Sequence, residues 1–172
     1  RLGERRGFAS TARPDGLLVW LHAASVGESL SVVPLAQTLR AAHGDLNLLI
    51  TTGTVTSARM IEERMPLGGH HQFIPVDRPA EVARFLDHWR PDLALWVESE
   101  LWPNLVLETA RRGTPMAMIN ARLSARSARR WQRMPALIRP LLNSFKAVLA
   151  QSEVDAARFR ALGASQARSV GN

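Results

Sequence analysis

The chain has 172 residues, no cysteine, and a formal net charge of +7, from 22 Lys and Arg against 15 Asp and Glu. The missing cysteines exclude disulfides and thiolate chemistry. A chain of this length, 46% hydrophobic, holds one well-buried core and is too short for two full α/β domains, so a single domain over residues 1–172 is expected. Lys146 is the only lysine, so the positive charge is arginine, whose planar fork suits phosphate and carboxylate; a compositional bias toward Arg and Ala gives the same excess. No apolar run approaches the roughly 18 residues of a membrane span, and no signal-peptide core is present. The chain is therefore expected to be soluble, with loose attachment to an anionic membrane surface left open by its arginines.

Residues 1–16 are basic and end in the turn residues Pro14, Asp15 and Gly16, and are expected to be poorly ordered. Leu17 to Leu21 is a continuous apolar run, the pattern of a strand buried on both faces of a parallel sheet. His22 to Glu28, HAASVGE, then forms a strand-to-helix turn, and a helix follows to about His43, with Pro34 near its first turns. Leu46 to Thr52 reads as a second strand ending in the hydroxyl-rich turn Thr51 to Thr56, with a helix over about 57–65. His71 to Val76 is a third strand, and a helix to about Trp89 follows Asp77-Arg78-Pro79.

Leu93 to Val97 is a fourth apolar strand that stops at the sequence ESELWPN, residues 98–104. A helix over 105–112, a strand over 115–119, and a helical pattern from Ser124 to Asn143 broken at Pro135 and Pro140 come next. A sixth strand spans Ala147 to Ala150, a helix capped by Ser152 runs to Leu162, and Ser169 and Val170 open a seventh. Strands alternating with helices through short turns predict an α/β, doubly wound, Rossmann-like parallel sheet. The chain opens on Arg1 and closes on Gly171-Asn172 at the edge of what reads as a further strand, so it is expected to be a piece of a longer protein.

Parallel topology gathers the carboxyl ends of the strands on one rim, where open α/β sheets bind ligands. The polar residues at those ends are the candidate site. Ser25 to Glu28 has the spacing S-x-x-E, the plain meaning of which is a capping box with the carboxylate reaching back to the cap amide. The same carboxylate stands where it can take a proton from a substrate hydroxyl. Glu98 and Glu100, two apart at a strand end, are expected to project to one side and suit acid or base work; the plainer meaning is a helix-dipole carboxylate beside an Arg-paired one. Candidate substrate-binding residues come from the same turns: His22, Ser25, Gly27, Thr52, Trp102, Asn104, Asn120 and Arg122. A backbone-bonded histidine and a core tryptophan are the plainer meanings of His22 and Trp102.

Arg122, Arg126, Arg129, Arg130 and Arg133 fall on one helical face if the helix is continuous, which suits phosphates or simply a solvated basic surface. His70-His71 is the only His pair and its members point to opposite strand faces, so no metal is expected. The first turn has one glycine where the dinucleotide fingerprint needs three, so no nucleotide cofactor is expected.

Taken together, HAASVGE at 22–28, ESELWPN at 98–104, NARLSARS at 120–127 and QSE at 151–153 resemble the N-terminal domain of bacterial 3-deoxy-D-manno-octulosonic acid (Kdo) transferases, over nearly the whole chain. The resemblance implies one half of a GT-B glycosyltransferase of lipopolysaccharide assembly at the cytoplasmic face of the inner membrane, without a required metal. That half binds the lipid A precursor as acceptor, while CMP-Kdo is held by a C-terminal donor domain. It implies Glu28 as general base, with Glu98 and Glu100 orienting the acceptor or tuning Glu28, and no nucleic-acid partner. It also suggests the arginine face for acceptor phosphates or anionic lipid, and Leu30, Val33 and Leu35 for acyl chains. Ser99 stands where the family commonly has Thr, and neither the family's N-terminal anchor nor its donor domain is present, so the chain alone is expected to be inactive. Another GT-B transferase, a sugar-nucleotide epimerase half, or a non-catalytic phosphate- or lipid-binding module are the alternatives.

Overall fold

The computed structural model describes residues 1–65 and 68–171. Strands and helices alternate after a short leading helix: α1 (Leu2–Arg5), β1 (Leu18–His22), α2 (Val26–Ala42), β2 (Asn47–Thr52), α3 (Val55–Arg64), β3 (Gly69–Phe73) and α4 (Pro79–Trp89). These are followed by β4 (Leu93–Val97), α5 (Pro103–Arg111), β5 (Met116–Ala121), α6 (Ala125–Gln132), α7 (Pro135–Asn143), β6 (Ala147–Ala150), α8 (Glu153–Ala161) and β7 (Ala167–Ser169). The strand order is β3-β2-β1-β4-β5-β6-β7, and β1 with β2, β2 with β3, β5 with β6 and β6 with β7 pair in parallel. This is the doubly wound, Rossmann-like sheet that the alternation predicts. The chain forms two compact units, Arg1–Ala94 and Leu95–Asn172. Asn172, which the sequence places at a strand edge, lies outside the described residues.

In the first unit all five residues of β1 are buried, because a central parallel strand has helices on both faces. The strand begins and ends one residue later than its apolar run: Leu17 is 62% exposed while His22 is fully buried. Trp20 packs on Phe85 of α4 with ring centroids 5.0 Å apart. Its indole N–H donates to Thr51 Oγ1 at 2.8 Å, and His22 Nδ1 lies 3.0 Å from the same oxygen. Helix α2 runs through Pro34, which sits mid-helix rather than in its first turns.

The basic N-terminal stretch carries more structure than its composition suggests. Glu4 of α1 is buried and accepts from the Phe73 amide at 2.8 Å. Arg5 donates to the carbonyls of Ile74, at 3.1 Å, and of Gly53. Gly7, at φ 82°, passes so close to α4 that an added Cβ would stand 2.2 Å from the Glu81 carbonyl. These are long-range contacts between side chain and backbone, or backbone and backbone, and hydropathy patterning carries no trace of them.

In the second unit Trp96 of β4 meets Phe145 edge-on with centroids 5.9 Å apart, above a core that includes Met116, Met118, Leu141 and Phe159. The helical pattern over 124–143 is two helices. Pro135 has no amide to donate and disfavours a helical Met134, whose φ and ψ are −129° and 57°; α6 therefore stops and Pro135 opens α7 as its first residue. The expected arginine stripe lies on α6 and its C-cap except for Arg122, because the helix starts after the Ser124 N-cap. Arg126, Arg129 and Arg130 lie on α6, Arg133 is its C-cap, and Arg122 precedes the helix.

Burial pulls the His22 imidazole down to about 4, with the Arg5 charge helping and a bond at Thr51 opposing. The unfolded chain takes up that proton near pH 6.5, so stability is complete above about pH 7 and is lost as pH falls from there toward 4. Urea unfolding is expected to show about 1.4 kcal/mol less stability at pH 5.5 than at pH 8 from His22. His71, held down to about 4 by burial and by Arg1, adds to the loss with the same sign. In a His22→Asn variant the difference between the two pH values shrinks by the His22 share.

Candidate functional site

The turn after β1 is built by Ser25, the N-cap of α2. Its Oγ accepts from the Glu28 amide at 3.3 Å and donates to Glu28 Oε1 at 2.7 Å. Glu28 Oε2 accepts from the Ala24 amide at 2.8 Å, one residue before the cap amide that a capping box ordinarily uses. The carboxylate is thus pinned at two points and is 7% exposed. Each of its oxygens has a second lone pair for another donor.

Gly53, at the end of β2, completes this turn from the neighbouring strand. Its amide donates to the Ala24 carbonyl at 3.1 Å, and an added Cβ would stand 2.9 Å from that oxygen. Gly27 is the opposite case: it is exposed, and a Cβ there would meet nothing within 4 Å. Beneath the turn, His22 and Thr52 are both fully buried. Thr52 Oγ1 lies 2.9 Å from His71 Nε2. Both side chains therefore brace the strand ends from inside and present no surface to a ligand in this conformation. Of the three apolar positions suggested for acyl chains, Leu30 is 46% exposed, Val33 is in the core at 8%, and Leu35 is intermediate.

In the second unit β4 ends at Val97, so Glu98 and Glu100 belong to a turn and the two-residue alternation of a strand does not place them. Glu98 has φ 58°, a left-handed conformation that costs a non-glycine residue about 1 kcal/mol. Its amide donates to the Ile119 carbonyl at 3.0 Å, and the Leu101 amide to the Ser99 carbonyl at 2.8 Å. The Trp96 indole holds the Glu100 carbonyl at 2.8 Å, and the Ser99 hydroxyl donates to the Arg122 carbonyl. Asn120 is also left-handed, at φ 51°, inside a register shift between β5 and β6; such irregularities re-aim a strand end.

Pro103 opens α5, Trp102 is its 40% exposed N-cap, and Asn104 is exposed in its first turn. Arg122 is exposed. Glu100, Trp102, Ser127, Arg130 and Trp131 line one depression of about 330 Å³. The sequence pointed to Glu100 and Trp102. It did not point to Trp131, which stands among arginines and reads as part of their helix, nor to Ser127. A larger depression of about 430 Å³ in the first unit, between Leu2, Arg5, Val55, Arg59 and Phe73, contains none of the expected residues. Among the described residues, no group of three or more His, Asp or Glu is placed to hold a metal ion, and no helix is long and apolar enough to cross a membrane.

The family model described as 3-deoxy-D-manno-octulosonic-acid transferase (kdotransferase) matches residues 1–172. The chain belongs to this family. Three of its similar relatives bear the name 3-deoxy-D-manno-octulosonic acid transferase. The one from Rickettsia typhi is 37% identical over 155 residues, covering 90% of this chain and 33% of its own. That from Rickettsia bellii is 33% identical over 172 residues, 100% of this chain and 41% of its own. The Haemophilus influenzae relative is 35% identical over 166 residues, 95% and 38%. This Kdo transferase family chain therefore spans about two fifths or less of the length of these curated relatives.

Solved structures show the same fold at low identity. S. aureus MnaA with UDP superposes with a TM-score of 0.62 at 12% identity, over 91% of this chain and 43% of that one. The UDP-GlcNAc 2-epimerase of Neisseria meningitidis gives 0.61 at 12%, over 90% and 45%. Both structures share the sheet; the family match is to the Kdo transferases.

The left-handed backbone at position 98 is open to test apart from its carboxylate. Glu98→Gly is expected to leave thermal stability unchanged or raise it by up to about 1 kcal/mol, whereas the β-branched Glu98→Val is expected to lower it by at least that amount. Calorimetry on the two variants checks the ordering.

Proposed function

We propose that this Kdo transferase family chain is the acceptor-binding, base-supplying part of an inverting glycosyltransferase. The enzyme moves Kdo from CMP-Kdo to the lipid A precursor in lipopolysaccharide biosynthesis, and Glu28 is its general base. The observation that carries the role is the carboxylate fixed by the Ala24 amide and the Ser25 hydroxyl at the carboxyl end of β1, next in sequence to Gly27, where an added Cβ meets nothing within 4 Å, in the VGE stretch that carries the family resemblance. Fixing both oxygens holds one rotamer without side-chain entropy to lose during reaction, and leaves a lone pair on each for an incoming hydroxyl.

In the reaction the acceptor hydroxyl gives its proton to Glu28 as its oxygen bonds to the anomeric carbon of Kdo. The bond from that carbon to the CMP phosphate breaks, and its electron pair leaves with CMP on the opposite face, which inverts the centre. Ser25 and Gly27 set the approach: the first aims the carboxylate, and the second leaves open space beside it. Glu98, Glu100, Asn104, Asn120 and Arg122, all of the second unit, are taken by themselves as candidate saccharide-binding residues. The protein works at the cytoplasmic face of the inner membrane, with its arginines toward the anionic surface. CMP-Kdo is bound by a C-terminal donor domain of the full-length protein.

In the full-length protein, Glu28→Gln is expected to lower Kdo turnover on the order of 100-fold or more while acceptor binding is retained. The amide keeps most of the cap, so the melting temperature should move little; near-normal turnover would leave Glu28 a helix cap and nothing more. Gly27→Ala gives an independent reading. It should be neutral or slightly stabilising, because no protein atom opposes the methyl and alanine orders a helix at lower entropy cost. It should nevertheless raise the acceptor KM, since the methyl occupies the space through which the hydroxyl approaches.

A further inference from the structure

The five tryptophans fall into two groups. Trp20, Trp89 and Trp96 are fully buried, and each donates its indole N–H inside the protein: to Thr51 Oγ1 at 2.8 Å, to Gln72 Oε1 at 2.7 Å and to the Glu100 carbonyl at 2.8 Å. These three are core residues with their one polar atom satisfied. The other two, Trp102 at the start of α5 and Trp131 near the end of α6, are 40% exposed and partly exposed. They line the same hollow of the second unit.

Leaving two large aromatic rings at the surface forgoes the stabilisation of burying them. That both open onto one hollow gives those faces a common use. Apart from Leu101 its other walls are polar residues: Ser99, Glu100, Ser127 and Arg130. Among the described residues the Arg130 side chain has neither an ion pair nor a hydrogen bond. A volume of about 330 Å³ is at the small end of ligand sites, which run from roughly 300 to 1,000 Å³. Aromatic faces with hydroxyl-reading groups between them match a pyranose ring, which has apolar C–H faces and a rim of hydroxyls. An unpaired arginine fork beside them matches a phosphate.

We propose that this hollow is a subsite for a phosphorylated sugar: the ring packs between Trp102 and Trp131, Glu100 and Ser127 bond its hydroxyls, and Arg130 takes the phosphate. The inference rests on the acceptor-binding reading above and names the residues of α6 that would recognise the saccharide part of the acceptor.

The test follows the five indole N–H signals by NMR while the chain is titrated with N-acetylglucosamine 1-phosphate, N-acetylglucosamine, or inorganic phosphate. Two signals, those of Trp102 and Trp131, are expected to move with the phosphosugar, while those of Trp20 and Trp89, which have no bond to a residue of the hollow, stay in place and report that each variant is folded. Trp131→Ala is expected to weaken phosphosugar binding about tenfold, with Trp131→Phe close to wild type. Arg130→Ala should bring the phosphosugar down to the affinity of the neutral sugar without changing the latter. Unmoved Trp102 and Trp131 signals would overturn the proposal. So would wild-type binding by Trp131→Ala, or inorganic phosphate moving the signals as strongly as the phosphosugar does.

Kdo transfer by the full-length protein separates this inference from the functional reading. Arg130→Ala and Trp131→Ala are expected to raise the acceptor KM more than they lower kcat. If no Kdo is transferred but the two indoles still respond to the phosphosugar, the functional reading fails and the subsite stands. If both variants transfer Kdo with unchanged KM, the subsite fails and the functional reading stands.

Discussion

Each helix of a parallel α/β sheet starts where a strand has just ended, and its first amides have no partner within the helix. This chain meets that constraint in one way four times. Ser25, Thr54, Ser124 and Ser152 each stand at an N-cap and accept from the amide three residues on, at the starts of α2, α3, α6 and α8. A cap of this kind is worth about 1 kcal/mol, but its larger effect is directional. It fixes the angle at which the chain leaves the strand, and so decides which side chains reach the strand end. The stretches that carry the family resemblance include three of these capped turns, so the residues that mark the family are also the ones that start its helices.

Two of the caps have a carboxylate in the third helical position that grips the backbone elsewhere. Glu28 reaches the Ala24 amide, while Asp155 reaches the Leu123 amide at 2.9 Å and the Ser152 hydroxyl. Burial alone would raise the Asp155 carboxyl, but those two donors and the nearby charges of Arg158 and Arg122 outweigh it and hold the group below its usual range. Asp155 thus does with the same local geometry a wholly structural job, tying α8 to the end of β5. Capping geometry therefore does not distinguish a base from a brace. In the proposed reading Glu28 differs from Asp155 in the glycines around its turn: Gly27, where an added Cβ meets nothing within 4 Å, and Gly53, close-packed against the Ala24 carbonyl.

Much of this architecture was legible in the sequence because it is written in local patterns. Apolar runs of strand length, the punctuation between them and the S-x-x-acid spacings give the alternation and the caps. The failures have physical causes of other kinds. His22 reads as the first turn residue yet belongs to β1, because a hydroxyl on the next strand offers its ring a partner inside the core. The N-terminal stretch reads as a basic tail because what fastens it are single bonds to distant carbonyls and amides. Glu98 reads as a strand-end acid because nothing in a glutamate announces a left-handed backbone. Trp131 stands among arginines in the sequence, and only the folded chain shows that it opens onto the same hollow as a residue 29 positions earlier. Pro135 reads as an interruption of one helix, whereas it ends one helix and begins another.

The composition of α6 has a consequence for how any anion would be released from it. Arg126, Arg129 and Arg130 are exposed on that helix, with no lysine or histidine among them. A guanidinium carries a delocalised charge on a planar fork. Ionic strength acts where acid does not, since charges at an exposed surface are screened beyond about 8 Å in physiological salt. The two histidines that burial keeps neutral make the fold sensitive to acid, whereas the basic face is sensitive to salt. The protein thus separates the two responses into different side chains, and counterions act on the exposed arginines without disturbing the strand ends that hold Glu28.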